Sequence, residues 1–546
     1  MPRFLIGDVL AGLAVAGLIL PEGVAYAGIA GLPPGRALAA GIVGGLAYVL
    51  VGRSRFAVLS PTSSSAAILA AALASLPGSP AERASLASAL VVAVGVIFLG
   101  MGAFRLGSLS GFVSRPVLRG FAFGLAVTII VKQLPKLFGV TVAGGPIWQV
   151  FGGLFASMGA WRVESLALGV AALGLLLALR QVPRMPGALV VLAGGIALGF
   201  AVDLPAHGVA IAGPVTLTMP GFAFPTDLAV WARLIQLASP IALIVFAESW
   251  GTMRGLALRH SDTIYPNREL AAIGVANVAA ALVQGMPVGA GFSAGSANES
   301  AGARSRVAAL TASLALLLLG LFAGPLIAKI PEPVLAAVVI GALTHALSPA
   351  PIVTLFRIAR DQWIALAAVM GVLGLGVLNG MLAAIALSIA QLLYRLSRPS
   401  VSELGQVGNS HDYVDIAQHA DAHPLPGVTI FRPNAPLIFA NAEAVLREVS
   451  HRMDADPART VVLSLEESND LDSTASEVIG EFCSALAVAG RGVILARVHD
   501  RVRLVLTAAG QVALAEAATF SVADAVALAR ATHHPRSRAT IAAGES

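Results

Sequence analysis

Two polar stretches interrupt an otherwise apolar chain of 546 residues. LSPTSSSAAILAA, residues 59–71, runs from Pro61 through Thr62, Ser63, Ser64 and Ser65 straight into apolar sequence. MPVGAGFSAGSANESAGARS, residues 286–305, repeats the theme with Pro287, four glycines and the small residues Ser293 to Ser296. Proline followed by small hydroxyl residues opens a helix, and a helix start presents free N–H groups and the positive end of a dipole. Hydroxyls and glycines let a small ligand approach the backbone closely. The chemistry of such a place is anion binding. A single stretch of this kind is also an ordinary seam for close helix packing. Two in matched positions point to a substrate site at the middle of a membrane.

Two acids stand in the apolar sequence, Glu22 in LPEGVAYAGIAGLPP and Glu248 in IVFAESWGTMRG. An ionisable side chain inside a membrane segment is costly and marks a pathway or coupling site unless it is paired. The pairing candidate for Glu248 is Arg254, six residues on and poorly aligned on a helix, whereas Thr252 stands one turn away. Glu299 lies further along its segment, toward Arg304 and Arg306, and reads as a helix-end ion pair. Asn298 suits packing or gating.

The elements that must position these groups are membrane spans. The chain is 57% hydrophobic and 12% charged with a mean hydropathy of +0.83, against about 25% charged residues in a soluble domain. A net charge of +5 suggests a nucleic-acid partner, but the basic residues are scattered between apolar runs and read as topology determinants instead. The single cysteine, Cys483, excludes an intramolecular disulfide framework and supplies no metal cluster. MPRFLIGDVLAG lacks a cleavable leader pattern, because its apolar run continues into a full span. No nucleophile–base motif, P-loop or ATP-binding cassette is present, so neither an enzyme nor a cofactor is expected.

At about 20 apolar residues per span, twelve spans fall near 9–29, 37–52, 84–104, 115–133, 163–180, 186–202, 234–257, 268–284, 307–328, 333–348, 362–378 and 380–397. The stretches 62–76 and 292–303 are too short to cross and too apolar for loops. As half-spans they make fourteen elements, in which they are third and tenth. Every second loop is basic, through Arg53 and Arg55; Arg105, Arg115 and Arg119; Arg180 and Arg184; Arg259 and Arg268; Arg304 and Arg306; Arg357 and Arg360. Both termini are therefore expected in the cytoplasm. Lys132 and Lys136 run against this pattern. Two repeats of seven, an odd number, must be inverted relative to each other. Trp148, Trp161, Trp231 and Trp363 fall near span ends, as interface anchors do.

After residue 400 the apolar runs stop. VTIFRP (428–433), PLIFAN (436–441), TVVLSLEE (460–467) and GVILARV (492–498) read as strands, alternating with helical patterns that include SEVIGEFCSALAVAG and VRLVLTAAG. The expected organisation is an all-α membrane transport domain over 1–398, a linker over 399–426, a soluble α/β domain over 427–532 and a disordered tail over 533–546.

GFVSRPVLRGFAFGLAVTIIVKQLPKLFGV (111–140), LPEGVAYAGIAGLPP (20–34), NRELAAIGVANVAAALVQGMPVGAGFS (267–293) and the Asp-Ser-Thr of residues 472–474 resemble the sulfate permease family of anion transporters, which carry a cytoplasmic STAS domain. The resemblance covers nearly the whole chain. It implies fourteen segments divided into a core and a gate, a homodimer in the bacterial inner membrane, and a small anion held between the starts of the third and tenth segments. The family's substrate site maps onto Glu22, Tyr26, Ser60, Thr62, Ser63, Ser293, Ala294 and Gly295. Glu248 with Thr252 falls at the coupling-ion position, where an acid and a threonine resemble the sodium site of bicarbonate-carrying members. The tail resembles antagonists of anti-sigma factors that are phosphorylated on a hydroxyl, matched here by Thr474, although Asp472 and its neighbours also read as an ordinary helix cap.

Three positions depart from the family's pattern: Glu22 where many members have Gln, Ala294 where many vertebrate members have Arg, and RALA at 36–39. The first two make the site more acidic. Like charges a few ångströms apart in a low-dielectric site repel by several kcal/mol, and taking up a proton removes the conflict. The expectation is a proton-coupled symporter of a small anion of the sulfate, bicarbonate or carboxylate class. Sodium coupling, exchange, or a neutral nucleobase-like substrate are the alternatives.

Overall fold

The computed structural model describes residues 3–108, 114–143, 145–179, 181, 187–213, 225–322, 324–398, 400–454 and 460–533. Two compact units divide the chain, Met1–Ser388 and Ile389–Ser546, the boundary falling inside the last helix assigned to the first. Arg180, Arg184 and all of the expected tail after His533 lie outside the described residues.

The first unit is helical. Its elements are α1 (Arg3–Ala30), α2 (Pro34–Val51), the two-residue strand β1 (Leu59–Ser60), α3 (Ser63–Ala74), α4 (Pro80–Ala103), α5 (Arg115–Leu137), α6 (Ile147–Ala156), α7 (Val163–Leu179), α8 (Gly187–Ala201), α9 (Leu228–Arg259), α10 (Pro266–Leu282), the two-residue strand β2 (Gly289–Ala290), α11 (Phe292–Ser300), α12 (Val307–Phe322), α13 (Gly324–Ile327), α14 (Glu332–Leu343), α15 (Ala350–Arg357), α16 (Gln362–Leu375) and α17 (Val377–Ser397). All fourteen expected segments fall on helices; α6, α13 and α15 are short additions. Among the described residues six helices are long and apolar enough to cross a membrane. The expected half-spans are α3, of 12 residues, and α11, of 9, far short of the roughly 20 a span needs.

The packing repeats with its halves exchanged. Helix α1 packs on α12 as α9 packs on α4; α2 packs on α12 as α10 packs on α4; α5 packs on α16 as α14 packs on α7. Strands β1 and β2, which lead into the two half-helices, pair antiparallel, Leu59 with Ala290 and Ser60 with Gly289. Antiparallel pairing of two mates is what an inverted repeat gives. Small residues permit the close contacts: a β-carbon on Gly45 of α2 would stand 2.3 Å from the Ser313 hydroxyl of α12.

The second unit is α/β, with strands β3 (Val401–Val407), β4 (Tyr413–Asp415), β5 (Ala422–His423), β6 (Val428–Pro433), β7 (Thr460–Ser464) and β8 (Gly492–Ala496). They lie in the order β4-β3-β6-β7-β8, with β5 beside β3. Strands β6, β7 and β8 are parallel and β3 is antiparallel to β6. Helices α18 (Ala442–Asp454), α19 (Ser473–Val488), α20 (Asp500–Ala508), α21 (Val512–Ala517) and α22 (Val522–His533) complete the unit. Val445, Ile479 and Phe482 build one apolar cluster, and Ala525, Val526 and Ala529 of α22 build another with Ile430 and Ile494.

Two expectations fail here. The supposed linker 399–426 holds three strands of the sheet, and Val401 and Leu404 are buried in it. PLIFAN is not a strand. Side chains satisfy its backbone: Leu437 N–H donates to Ser468 Oγ (3.0 Å), Ile438 N–H to Asn441 Oδ1 (2.9 Å) and Phe439 N–H to Asp472 Oδ2 (2.6 Å).

Asp472 caps α19 by accepting from Ala475 N–H at 2.8 Å, while Thr474 is exposed. Asp472→Ala removes the cap and the bond from Phe439 together, an expected loss of about 2 kcal/mol. A lower melting temperature of the soluble unit in the full-length protein is the readout. Burial pushes the Cys483 thiol up to about 12, so it stays protonated and unreactive near neutral pH.

Candidate functional site

The starts of α3 and α11 open into one cavity of about 370 Å3. Thr62 is the N-cap of α3: its Oγ1 accepts from Ser65 N–H at 3.2 Å, and in return Thr62 N–H donates to Ser65 Oγ at 3.0 Å. Such a reciprocal cap fixes the entry of the chain. Ser65 Oγ also donates to Pro287 O (3.1 Å), in the segment leading to α11. In return Asn298 of α11 donates to Phe56 O (3.1 Å), in the segment leading to α3. Each half-helix thus holds the approach to the other.

Two further side chains hold β2 and its approach. Asn277 of α10 is fully buried, donates to Val288 O at 2.9 Å and accepts from Val288 N–H at 3.0 Å. Ser249 Oγ of α9 accepts from Ala290 N–H at 2.9 Å. At the edge of this framework Glu269 is fully buried and accepts from the Tyr48 hydroxyl at 2.6 Å and Arg53 N–H at 3.0 Å.

The acids meet the half-helices crosswise. Thr62 Oγ1 donates to Glu248 Oε2 at 3.1 Å, and Ser293 Oγ donates to Glu22 Oε2 at 3.4 Å. The acid on α9, from the second repeat, serves α3, and the acid on α1, from the first, serves α11. Glu22 is buried, and its Oε1 has no hydrogen-bond partner among the described residues. Arg254 makes no ion pair with Glu248 among those residues.

Of the residues expected to bind substrate, Glu22, Tyr26, Ser60, Thr62, Ser63, Ser293 and Ala294 all line the cavity. Glu248 and Thr252 do as well. Gly295 does not: its β-carbon position lies 3.0 Å from Thr252 Cγ2 and 3.1 Å from Leu256 Cδ1, so it is a helix-packing glycine. Glu299 is ion-paired as expected, but with Arg259 (3.2 Å) at the end of α9, and it also hydrogen-bonds the adjoining His260 (2.7 Å).

The opposite wall came from residues that sequence reasoning passed over. Leu118, Phe121, Ala122, Leu125 and Ala126 of α5 line it, with Ala342 and Leu343 of α14 and Ala346 just beyond. Apolar residues on apolar helices give no signal of this. Asn277 and Glu269 did carry one, as polar groups inside spans. No Lys, Arg or His lines the cavity among the described residues. An occupant therefore meets two helix starts, a row of hydroxyls, two carboxyls and an apolar wall.

A model of the sulfate permease family matches residues 5–369, and a STAS domain model matches 419–522. A probable sulfate transporter of Mycobacterium tuberculosis is 36% identical over 515 residues, covering 93% of this chain and 92% of the relative. Human solute carrier family 26 member 6 is 30% identical, over 84% of this chain and 64% of its own length. Among solved structures, murine solute carrier 26 family member A9, an anion transporter in its inward-facing state, superposes with a TM-score of 0.89 at 21% identity, over 97% of this chain and 92% of that one. The transmembrane domain of the cyanobacterial bicarbonate transporter BicA gives 0.62 at 21% identity, over 70% of this chain and 98% of that one. The chain belongs to the sulfate permease family, a family of transporters rather than enzymes, and carries a STAS domain behind its membrane unit.

Proposed function

We propose that this protein is a secondary active symporter that moves a small anion together with protons across a bacterial plasma membrane, by alternating access. The anion sits between the starts of α3 and α11 while the helices bearing them move against the wall of α5 and α14. Both termini face the cytoplasm, and the protein works as a homodimer. The observation that carries the reading is the crosswise pairing of each half-helix start with a carboxyl, Thr62 with Glu248 and Ser293 with Glu22.

The charge balance follows from that pairing. A carboxylate and an anion about 4 Å apart repel by about 4 kcal/mol at an effective dielectric of 20, and among the described residues no cationic side chain lines the cavity to offset this. A proton on Glu248 removes the repulsion and turns an acceptor into a donor. For a monovalent anion the loaded site then carries the same charge as the empty one; a dianion such as sulfate needs a second proton, for which Glu22 is the second acid in the cavity. Release of the anion into a less acidic compartment releases the proton as well.

One observation favours a second reading. Glu248 and Thr252 line the same cavity one turn apart, and paired oxygens of that kind suit a sodium ion. Uptake by proteoliposomes of labelled sulfate, bicarbonate, dicarboxylates and uracil, under a proton gradient and separately under a sodium gradient, decides between them. Proton-driven uptake of one anion supports symport with H+; sodium-driven uptake transfers the coupling to the second reading; uptake of uracil alone contradicts an anion substrate.

Ala294 offers a test in the opposite direction. Its side chain lines the cavity, and Ala294→Arg supplies a fixed positive charge beside the two acids. Anion exchange by this variant is expected to persist at alkaline pH, with the acid-driven stimulation of uptake reduced about tenfold, since one compensated charge is worth at least one pH unit here. Uptake rates measured across a pH series are the check.

A further inference from the structure

We infer that Lys132 and Lys136 of α5 form an anion-docking site at the outer mouth of the cavity, where a small oxyanion rests between two ammonium groups before it reaches the acidic site. The inference rests on the anion-transport reading above.

On α5 the cavity is lined by Leu118, Phe121, Ala122, Leu125 and Ala126, which share one side of the helix. Continuing that stripe in steps of three and four leads through Ile129 to Lys132 and Lys136, one turn apart. Lys136 reaches helix α1: a β-carbon on Gly28 would lie 3.6 Å from its Nζ. Gly28 stands two residues beyond Tyr26 and six beyond Glu22, both of which line the cavity. The lysines therefore stand where α1 and α5 end together, beyond the cavity. With the N-terminus inside, that end faces outward.

Neither lysine's ammonium group has an ion-pair or hydrogen-bond partner among the described residues. They also break the distribution of basic residues that sets membrane orientation, so topology gives no reason for them. Transport does. At a distance the two carboxyls repel an approaching anion, no cationic side chain lines the cavity among the described residues, and the helix starts act only within about a turn, whereas two positive charges at the mouth raise the local anion concentration and the rate of entry. Ammonium groups one turn apart, with β-carbons about 5–6 Å from each other, suit two oxygens of one oxyanion. A role limited to the dipole at the end of α1 would leave anion affinity untouched.

The test uses inorganic sulfate as the probe. Binding to the detergent-purified full chain is followed by titration calorimetry, beside initial uptake rates in proteoliposomes, at low and high ionic strength. Lys132→Gln with Lys136→Gln is expected to weaken binding and raise KM about tenfold at low ionic strength with kcat nearly unchanged, and the difference should close at high salt. The double Lys→Arg variant should keep wild-type values. Gly28→Asp, which sets a carboxylate against Lys136, should reproduce the rise in KM. Unchanged binding and KM in the double Gln variant, or equal loss in the Arg variant, would overturn the site while leaving proton-driven uptake intact. Wild-type sulfate binding that is lost in the double Gln variant, with no flux of any anion, would keep the site and defeat the transport reading. A wild type that binds no sulfate overturns the docking site.

Discussion

Glu248→Gln is expected to abolish proton-driven accumulation of the anion while leaving anion exchange in place. Glutamine keeps an oxygen for the Thr62 hydroxyl, which lies 3.1 Å from the present carboxyl, so the cap of α3 and the shape of the cavity survive. What is lost is the site where a proton binds and leaves. A one-unit pH gradient is worth 1.36 kcal/mol per proton, about a tenfold accumulation ratio for each proton carried with the anion. In the variant the contribution of Glu248 falls to zero and its share of the gradient no longer drives uptake. The sign follows from the same reasoning: wild-type uptake rises as the outside becomes more acidic, because protonation there precedes binding, whereas the variant, permanently neutral at this position, is flat. Uptake measured from pH 5 to 8 on both proteins, with equal-exchange counterflow as the control for folding, reads the difference.

The second large effect is structural. Asn277→Leu leaves Val288 N–H and Val288 O buried without partners, since Asn277 serves both. At about 1–3 kcal/mol for each unsatisfied buried group, the expected destabilisation is on the order of 4 kcal/mol. The cost is concentrated in the approach to β2, which pairs with β1 and sets the start of α11 against that of α3. Reduced melting temperature in detergent and loss of transport should therefore appear together. Asn277→Asp keeps the acceptor for Val288 N–H and, when protonated, a donor for Val288 O, so it should lose less at acidic pH and more as the pH rises and the buried carboxyl ionises. A leucine variant as stable as the wild type would mean that the framework of β1 and β2 does not depend on this side chain.

Much of the membrane unit was legible because spans are long and apolar and their interruptions are not. Pro61 to Ser65 and Gly291 to Ser296 announced the two half-helices through residue types that start helices, and their spacing announced the inversion. The acids were legible for the same reason, since an ionisable group in an apolar run is a strong departure. What joined them was not legible. The crosswise pairing of Glu22 with Ser293 and of Glu248 with Thr62 joins residues 271 and 186 positions apart, and only the inverted packing brings them together.

Other parts were hidden for identifiable reasons. The apolar wall from α5 and α14 is made of residue types that serve lipid, core and cavity alike. Gly295 shares its motif with Ser293 and Ala294, yet helical rotation turns it from the cavity toward Thr252 and Leu256. Strand β3 reads as linker because VSELGQV has only a short alternation and a glycine, and it becomes an inner strand only by lying between β4 and β6, the latter more than twenty residues later. PLIFAN had the composition of a strand, but Ser468, Asn441 and Asp472 claim its backbone.

On the proposed mechanism, anion and proton move together through a site governed by Glu248. Its most direct test is to add the transported anion to the outside of proteoliposomes that enclose a pH indicator, with no imposed gradient and with sodium absent. Symport through Glu248 should acidify the lumen in fixed proportion to anion entry, and the acidification should disappear in Glu248→Gln. Anion entry without a lumenal pH change, or acidification that persists undiminished in the variant, would contradict it.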